Sequence, residues 1–117
     1  MATLKSNKKA VSWIAGALIF SGRPDPTWHV EEATAKRLED IWNALKPSTE
    51  NLPSAPPLGY RGCWLRDASG REWVTFKGFI TQKRAGTSET RANKERSFEK
   101  LLLASAPVGM IPASFEV

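Results

Sequence analysis

Apolar positions fall into separate blocks, and each block has its own period. Residues 11–20, VSWIAGALIF, are apolar at both alternating positions, with Val11, Trp13, Ala15, Ala17 and Ile19 on one side and Ile14, Gly16, Leu18 and Phe20 on the other. A short apolar run rich in aromatic and β-branched residues, stopped abruptly by Ser-Gly-Arg-Pro, predicts a buried central strand. A buried helix segment is the competing assignment. The next stretch, SGRPDPTW (21–28), predicts a stiff turn: Pro24 and Pro26 have fixed φ and no amide donor, and Arg23 and Asp25, each preceding a proline, are pushed towards extended conformations. From residue 31 the period changes to that of a helix, with Ala33, Thr34, Leu38, Ile41, Trp42 and Leu45 on one stripe and Glu31 and Glu32 complementing the dipole of the first turn. Glu32, Lys36 and Asp40 form a solvated i, i+4 ladder. Lys46 before Pro47 ends this helix, and the proline-rich residues 47–59 read as an irregular connector.

Residues 60–67 and 71–82 read as a hairpin with Ser69-Gly70 at its tip. With Asp67 opposite Arg71, Arg66 faces Glu72, Trp64 faces Val74 and Gly62 faces Phe76. That register gathers Tyr60, Trp64, Val74, Phe76 and Ile80 on an expected core face, and it leaves Arg61, Cys63, Leu65, Trp73, Thr75, Lys77 and Phe79 on the other. Residues 82–92, QKRAGTSETRA, are polar and read as a mobile loop. Asn93 is a candidate N-cap for a second helix carrying Phe98, Leu101, Leu102 and Ser105 on one stripe; it ends where Ala106 precedes Pro107. The apolar tail, residues 107–117, is expected to lie against the body.

These elements predict an α+β fold, a two-layer sandwich in the order strand-helix-strand-strand-helix, whose small, mostly antiparallel sheet is covered by two helices. Residues 1–10 are expected to be a flexible basic N-terminus, and 11–117 a single domain. So few strands leave edges open, so a further short strand or a homodimer through a sheet edge is expected to close them.

Charge changes this picture less than its total suggests. The chain of 117 residues carries a net +5, but Lys5, Lys8 and Lys9 supply +3, residues 82–100 hold six cations and three anions, and the remainder is nearly balanced. The basic excess belongs to one tail and one segment, which suits either a polyanion contact or a solvated surface. Five tryptophans in so short a chain exceed ordinary core needs, so some rings are expected at a surface.

The chemistry that can be excluded is broad. One cysteine, Cys63, and one histidine, His29, allow no disulfide and no cysteine-rich metal centre, and no metal or cofactor is expected. Cys63 lies mid-strand without an activating helix terminus, so catalysis by a Cys63–His29 pair is disfavoured. The phosphate-loop, dinucleotide and zinc-protease motifs are absent. The basic start before VSWIAGALIF has the outline of a signal peptide but lacks a small-residue cleavage pattern, and the apolar run is too short to span a bilayer. A cytoplasmic protein without membrane contact is expected.

SGRPDPTW before a helix, LGYRGCWLRD leading into a glycine-containing hairpin, and the closing RSFEKLLL and AP resemble a pattern found in small uncharacterised, mostly bacterial proteins. The resemblance implies one domain and assigns no residue a role.

The residues point first to a small interaction or regulatory protein, of inhibitor or immunity type, that binds a protein partner through an aromatic-basic surface of Arg23, Trp28, Arg61, Trp73, Lys77 and Phe79. A mixture of Trp, Phe and Arg is what protein interfaces favour. The alternative is RNA or single-stranded DNA binding, with bases stacked on the same aromatics and Lys83, Arg84, Arg91, Lys94 and Arg96 following the backbone. A small enzyme is the third reading; it needs a pocket near the proline turn that joins Arg23, Asp25, His29, Cys63 and Arg61.

Overall fold

In the computed structural model the described residues are 13–19, 24–50, 52–54 and 60–111. Arg23, the basic N-terminus 1–10 and the end of the apolar tail lie outside them. One antiparallel sheet of six strands runs through this body: β1 (Trp13–Ala17), β2 (Thr27–Val30), β3 (Cys63–Asp67), β4 (Glu72–Phe76), β5 (Phe79–Arg84) and β6 (Thr87–Ala92). Helix α1 (Glu32–Asn43) connects β2 to β3, and helix α2 (Ser97–Ala104) follows β6. The spatial order is β2-β1-β3-β4-β5-β6, so β1 has a neighbour on each side, as its apolar run predicts.

The sheet has twice the expected number of strands, for local reasons. The SGRPDPTW stretch is not wholly a turn, because its last residues, Thr27 and Trp28, begin β2 and pair with Gly16 and Ala15. Residues 71–82 are not one strand. They reverse at Lys77-Gly78, where both residues have positive φ (49° and 87°). The expected mobile loop is the hairpin β5–β6, closed by Ala85-Gly86 with φ of 43° and 89°. Two-residue loops with both central residues left-handed match the twist of antiparallel strands. Their usual signature is Asn-Gly or Asp-Gly, which is why Lys-Gly and Ala-Gly read poorly in the sequence.

The β3–β4 register is the expected one, with Trp64 opposite Val74 and Arg66 opposite Glu72. Of the expected core face, Ile80 and Phe76 are buried and Tyr60 packs against the core, but the β3–β4 faces are otherwise inverted. Cys63, Leu65, Trp73 and Thr75 point to the covered side, and Trp73 is 0% exposed, while Trp64 and Val74 are only half-buried on the other side. The turn at Lys77-Gly78 explains the inversion: it places Ile80 opposite Thr75, and so on the side opposite to Val74. Once Ile80 moves, Leu65 and Trp73 become the majority apolar face.

That inner face carries the core. Trp13, Ala15, Ala17, Trp28, Val30, Cys63, Leu65, Trp73 and Ile80 cluster with Ala35, Leu38 and Trp42 of α1 and with Phe98 and Leu102 of α2. Arg91 ties α1 to the sheet. Its guanidinium lies 4.2 Å over the Trp42 ring and donates to the Trp42 and Leu45 carbonyls at 2.8 and 3.3 Å, satisfying acceptors that a helix end leaves open. The Gln82 amide, turned with its oxygen inward, accepts from the indole N–H groups of Trp73 and Trp42 at 3.1 and 3.3 Å. At the start of α2 the N-cap position is Arg96 rather than the expected Asn93, because the chain enters the helix through a left-handed Arg96 (φ 59°). Asn93, three residues earlier, still reaches the first turn, its Oδ1 accepting from the Phe98 amide at 2.9 Å.

Two outcomes follow from this packing. Trp73→Ala empties a site with no solvent access and is expected to cost about 3–5 kcal/mol in denaturant unfolding. Ala85→Asn supplies a residue that tolerates the left-handed turn and is expected to add about 0.5–1 kcal/mol, read as a higher melting temperature.

Candidate functional site

The outer face of the sheet is set by the same strand alternation that builds the core. Ile14 and His29 are cross-strand partners, as are Ile14 and Arg66, Gly16 and Trp64, Trp64 and Val74, and Glu72 and Lys83. All of these positions face the side of the sheet away from the helical cluster. Ile14 is 37% exposed, and the large half-buried groups beside it are Trp64 and Val74, with Phe79 at the far end of the face. Gly16 explains why the indole of Trp64 can lie flat here. A Cβ built on residue 16 would come within 2.4 Å of the Trp64 six-membered ring. Above the indole, the Arg66 guanidinium stacks at 4.5 Å from the ring centroid and pairs with Glu72 at 2.7 Å.

The residues expected to bind a partner are divided by this geometry. Trp73 is interior, which corrects its place on an exposed face. Trp28 is also buried, and its indole N–H donates to Ser105 Oγ at 2.9 Å, fastening β2 to the end of α2. Arg61 lies 3.8 Å from Asp25, and Asp25 accepts the Ile19 amide at 2.9 Å, so the proline turn is braced against β1 and the start of β3. Lys77 occupies the β4–β5 turn, 5.4 Å from the Phe76 ring, and Phe79 pairs with Phe76 across it. Among the cations expected to follow a nucleic-acid backbone, Arg91 is committed to α1 and Arg96 to Glu99 at 3.0 Å, while Lys83, Arg84 and Lys94 remain at the exposed surface. Trp64, Ile14, Val74 and Arg66 were missed as surface groups, and the exposed Ile14 within an otherwise buried strand is the signal that separates the two faces.

Of the groups the enzyme reading needs, Asp25 and Arg61 meet, but the single cysteine and the single histidine do not. Cys63 faces the core and His29 faces outward, so the sheet itself separates them. Among the described residues no three His, Cys, Asp or Glu side chains come together as a metal would require. A different polar cluster is buried behind the inner face. Glu99 is 0% exposed, accepts from the Tyr60 hydroxyl and pairs with Arg96, and Tyr60 Oη lies 3.5 Å from Cys63 Sγ. Burial first, then Cys63 and Glu99 beside it, raises the Tyr60 pKa well above its ordinary value near 10. Burial likewise pushes the Cys63 thiol up, away from the reactive thiolate. A buried carboxylate held by both partners fastens α2 to the segment leading into β3.

Compared with models of protein families, with curated proteins and with solved structures, the chain matches none. No helix among the described residues is long and apolar enough to cross a membrane.

Tyr60 is the sole tyrosine, so ultraviolet titration reads it directly. No tyrosinate absorbance is expected near pH 10 while the fold persists. Because the folded pKa is raised, the stability from this group is fully present below the unfolded pKa and declines as pH rises past about 10. Cys63 is expected to react with a thiol reagent only on unfolding, and Glu99→Ala to cost about 2–3 kcal/mol, measured by chemical denaturation.

Proposed function

We propose that this chain is a small interaction protein, of inhibitor or regulatory type, that docks a protein partner on the outer face of its sheet. One observation carries the reading: the helices bury one face, while the other holds Ile14, Trp64, Val74 and Phe79 together with Arg66 and no described helix over them. Aromatic, aliphatic and arginine side chains in one patch are the composition of interface centres rather than of an ordinary solvated surface. The reading takes the molecule as two layers, helices over sheet, with the third position left to a partner. It also replaces Trp73 and Trp28 as contact residues with Trp64 and Ile14. The separation of Cys63 from His29 favours binding over catalysis.

Photo-crosslinking tests it. With a crosslinkable residue in place of Val74 or Ile14, a discrete adduct with a partner from the native cell is expected. The same group in place of Lys36, on the outer side of α1, is expected to give none. Ile14→Ser is expected to reduce the Val74 adduct at least about tenfold without changing the melting temperature appreciably. Equal adducts from both sides of the molecule would sink the reading.

A further inference from the structure

Resting on the assignment of the outer face as the docking surface, we infer that the partner presents an acidic protein segment there. Where the β3–β4 and β5–β6 hairpins end, they enclose a groove of about 550 Å³ whose charged lining is Arg66, Glu72, Lys83 and Arg84, with Thr87 and Ser88 beyond them. Arg66 keeps 54% of its side chain exposed despite its bond to Glu72. Lys83 and Arg84 are exposed and make no ion pair among the described residues, unlike Arg71, Arg91 and Arg96, which are all engaged by carboxylates. The groove thus offers an excess of two positive charges. Arg66 belongs to both this groove and the apolar patch, since it stacks on Trp64 and is the cross-strand partner of Ile14. A segment that seats apolar side chains on Ile14 and Val74, beside the half-buried Trp64, therefore brings its neighbouring residues over the cations. Lys83 leaves the sheet on this outer side as the cross-strand partner of Glu72, while Arg84, one residue further along β5, lines the groove from the hairpin end. A carboxylate over the face therefore answers Lys83, and one reaching past the hairpin tip answers Arg84.

Charge alone would also suit a nucleic acid, but two features favour protein. A base needs an open ring face to stack on, and the Trp64 indole lies between Gly16 and the Arg66 guanidinium. The Glu72 carboxylate lies among the cations, where it opposes a densely charged phosphate chain more than a peptide with separated acids.

Fluorescence anisotropy with three labelled probes decides between these: a short peptide of alternating glutamate and leucine, its lysine-leucine counterpart, and a short oligothymidine. The acidic peptide alone is expected to bind, more weakly as salt rises. Reversing both groove cations, Lys83→Glu with Arg84→Glu, is expected to weaken it at least about tenfold. The control pair Lys36→Glu with Lys100→Glu changes the net charge equally on the helices and is expected to alter affinity less than about twofold. Failure of the acidic peptide to bind, tighter binding of oligothymidine, or equal loss in the control overturns the inference. If Ile14→Ser weakens the peptide while the groove reversal does not, the acidic assignment falls and the docking face stands. If neither change matters, both fall.

Discussion

The indole of Trp73 is the constraint to which the helix side of the sheet answers. It is wholly enclosed, with Trp13 at 5.9 Å on one flank, the Arg71 guanidinium at 4.8 Å over its ring and the Gln82 amide on its N–H. Each neighbour reaches a different element. Arg71 bonds Asp67 at the hairpin tip and Glu39 on α1, both at 2.8 Å, and Gln82 also reaches Trp42 further along the same helix. A buried indole needs a partner for its N–H, and meeting that need sets the phase of β5 and the position of α1 together. With that side committed, Trp64 and Val74 on the opposite side of the same strands are left half-buried.

Much of this was legible in the sequence. The central strand, both helices, their proline stops and the β3–β4 register all rest on local patterns that the structure keeps. The face assignment was not legible, because β3 and β4 carry large apolar groups on both sides. Trp64 and Val74 compete with Leu65 and Trp73, and only the helices decide which pair is inside. Two turns without an asparagine or aspartate hid three of the strand boundaries, and β6, with no large apolar residue, had nothing to mark it as a strand. Arg91 and Arg96 read as a basic surface because each finds its acceptor in distant or buried groups: helix carbonyls more than forty positions away for one, an enclosed carboxylate for the other.

The candidate site shows the same division. Aromatic and basic character on the hairpin is visible in the sequence, but which aromatics face outward depends on tertiary packing. The proline turn proved to be a joint, with Asp25 serving the Ile19 amide and lying near Arg61. Its neighbour His29 reaches the outer face only because the turn runs directly into β2.

The position of β1 divides the chain by distance along the sequence. Partners in the β5–β6 hairpin are between 3 and 13 residues apart, whereas Trp13 and Asp67, paired across β1 and β3, are 54 apart. Closing the longer loop costs more chain entropy before any contact rewards it, and long-range pairing slows folding. The meander β3–β6 can assemble from neighbours, but β1 and β2 must arrive from across the proline-rich connector. Until they do, the edge of β3 stands unpaired and the inner side of Leu65 is uncovered. The outer face is therefore incomplete in any partly folded molecule, since Ile14 and the seat of Trp64 on Gly16 both come from the strand that docks across the longest span.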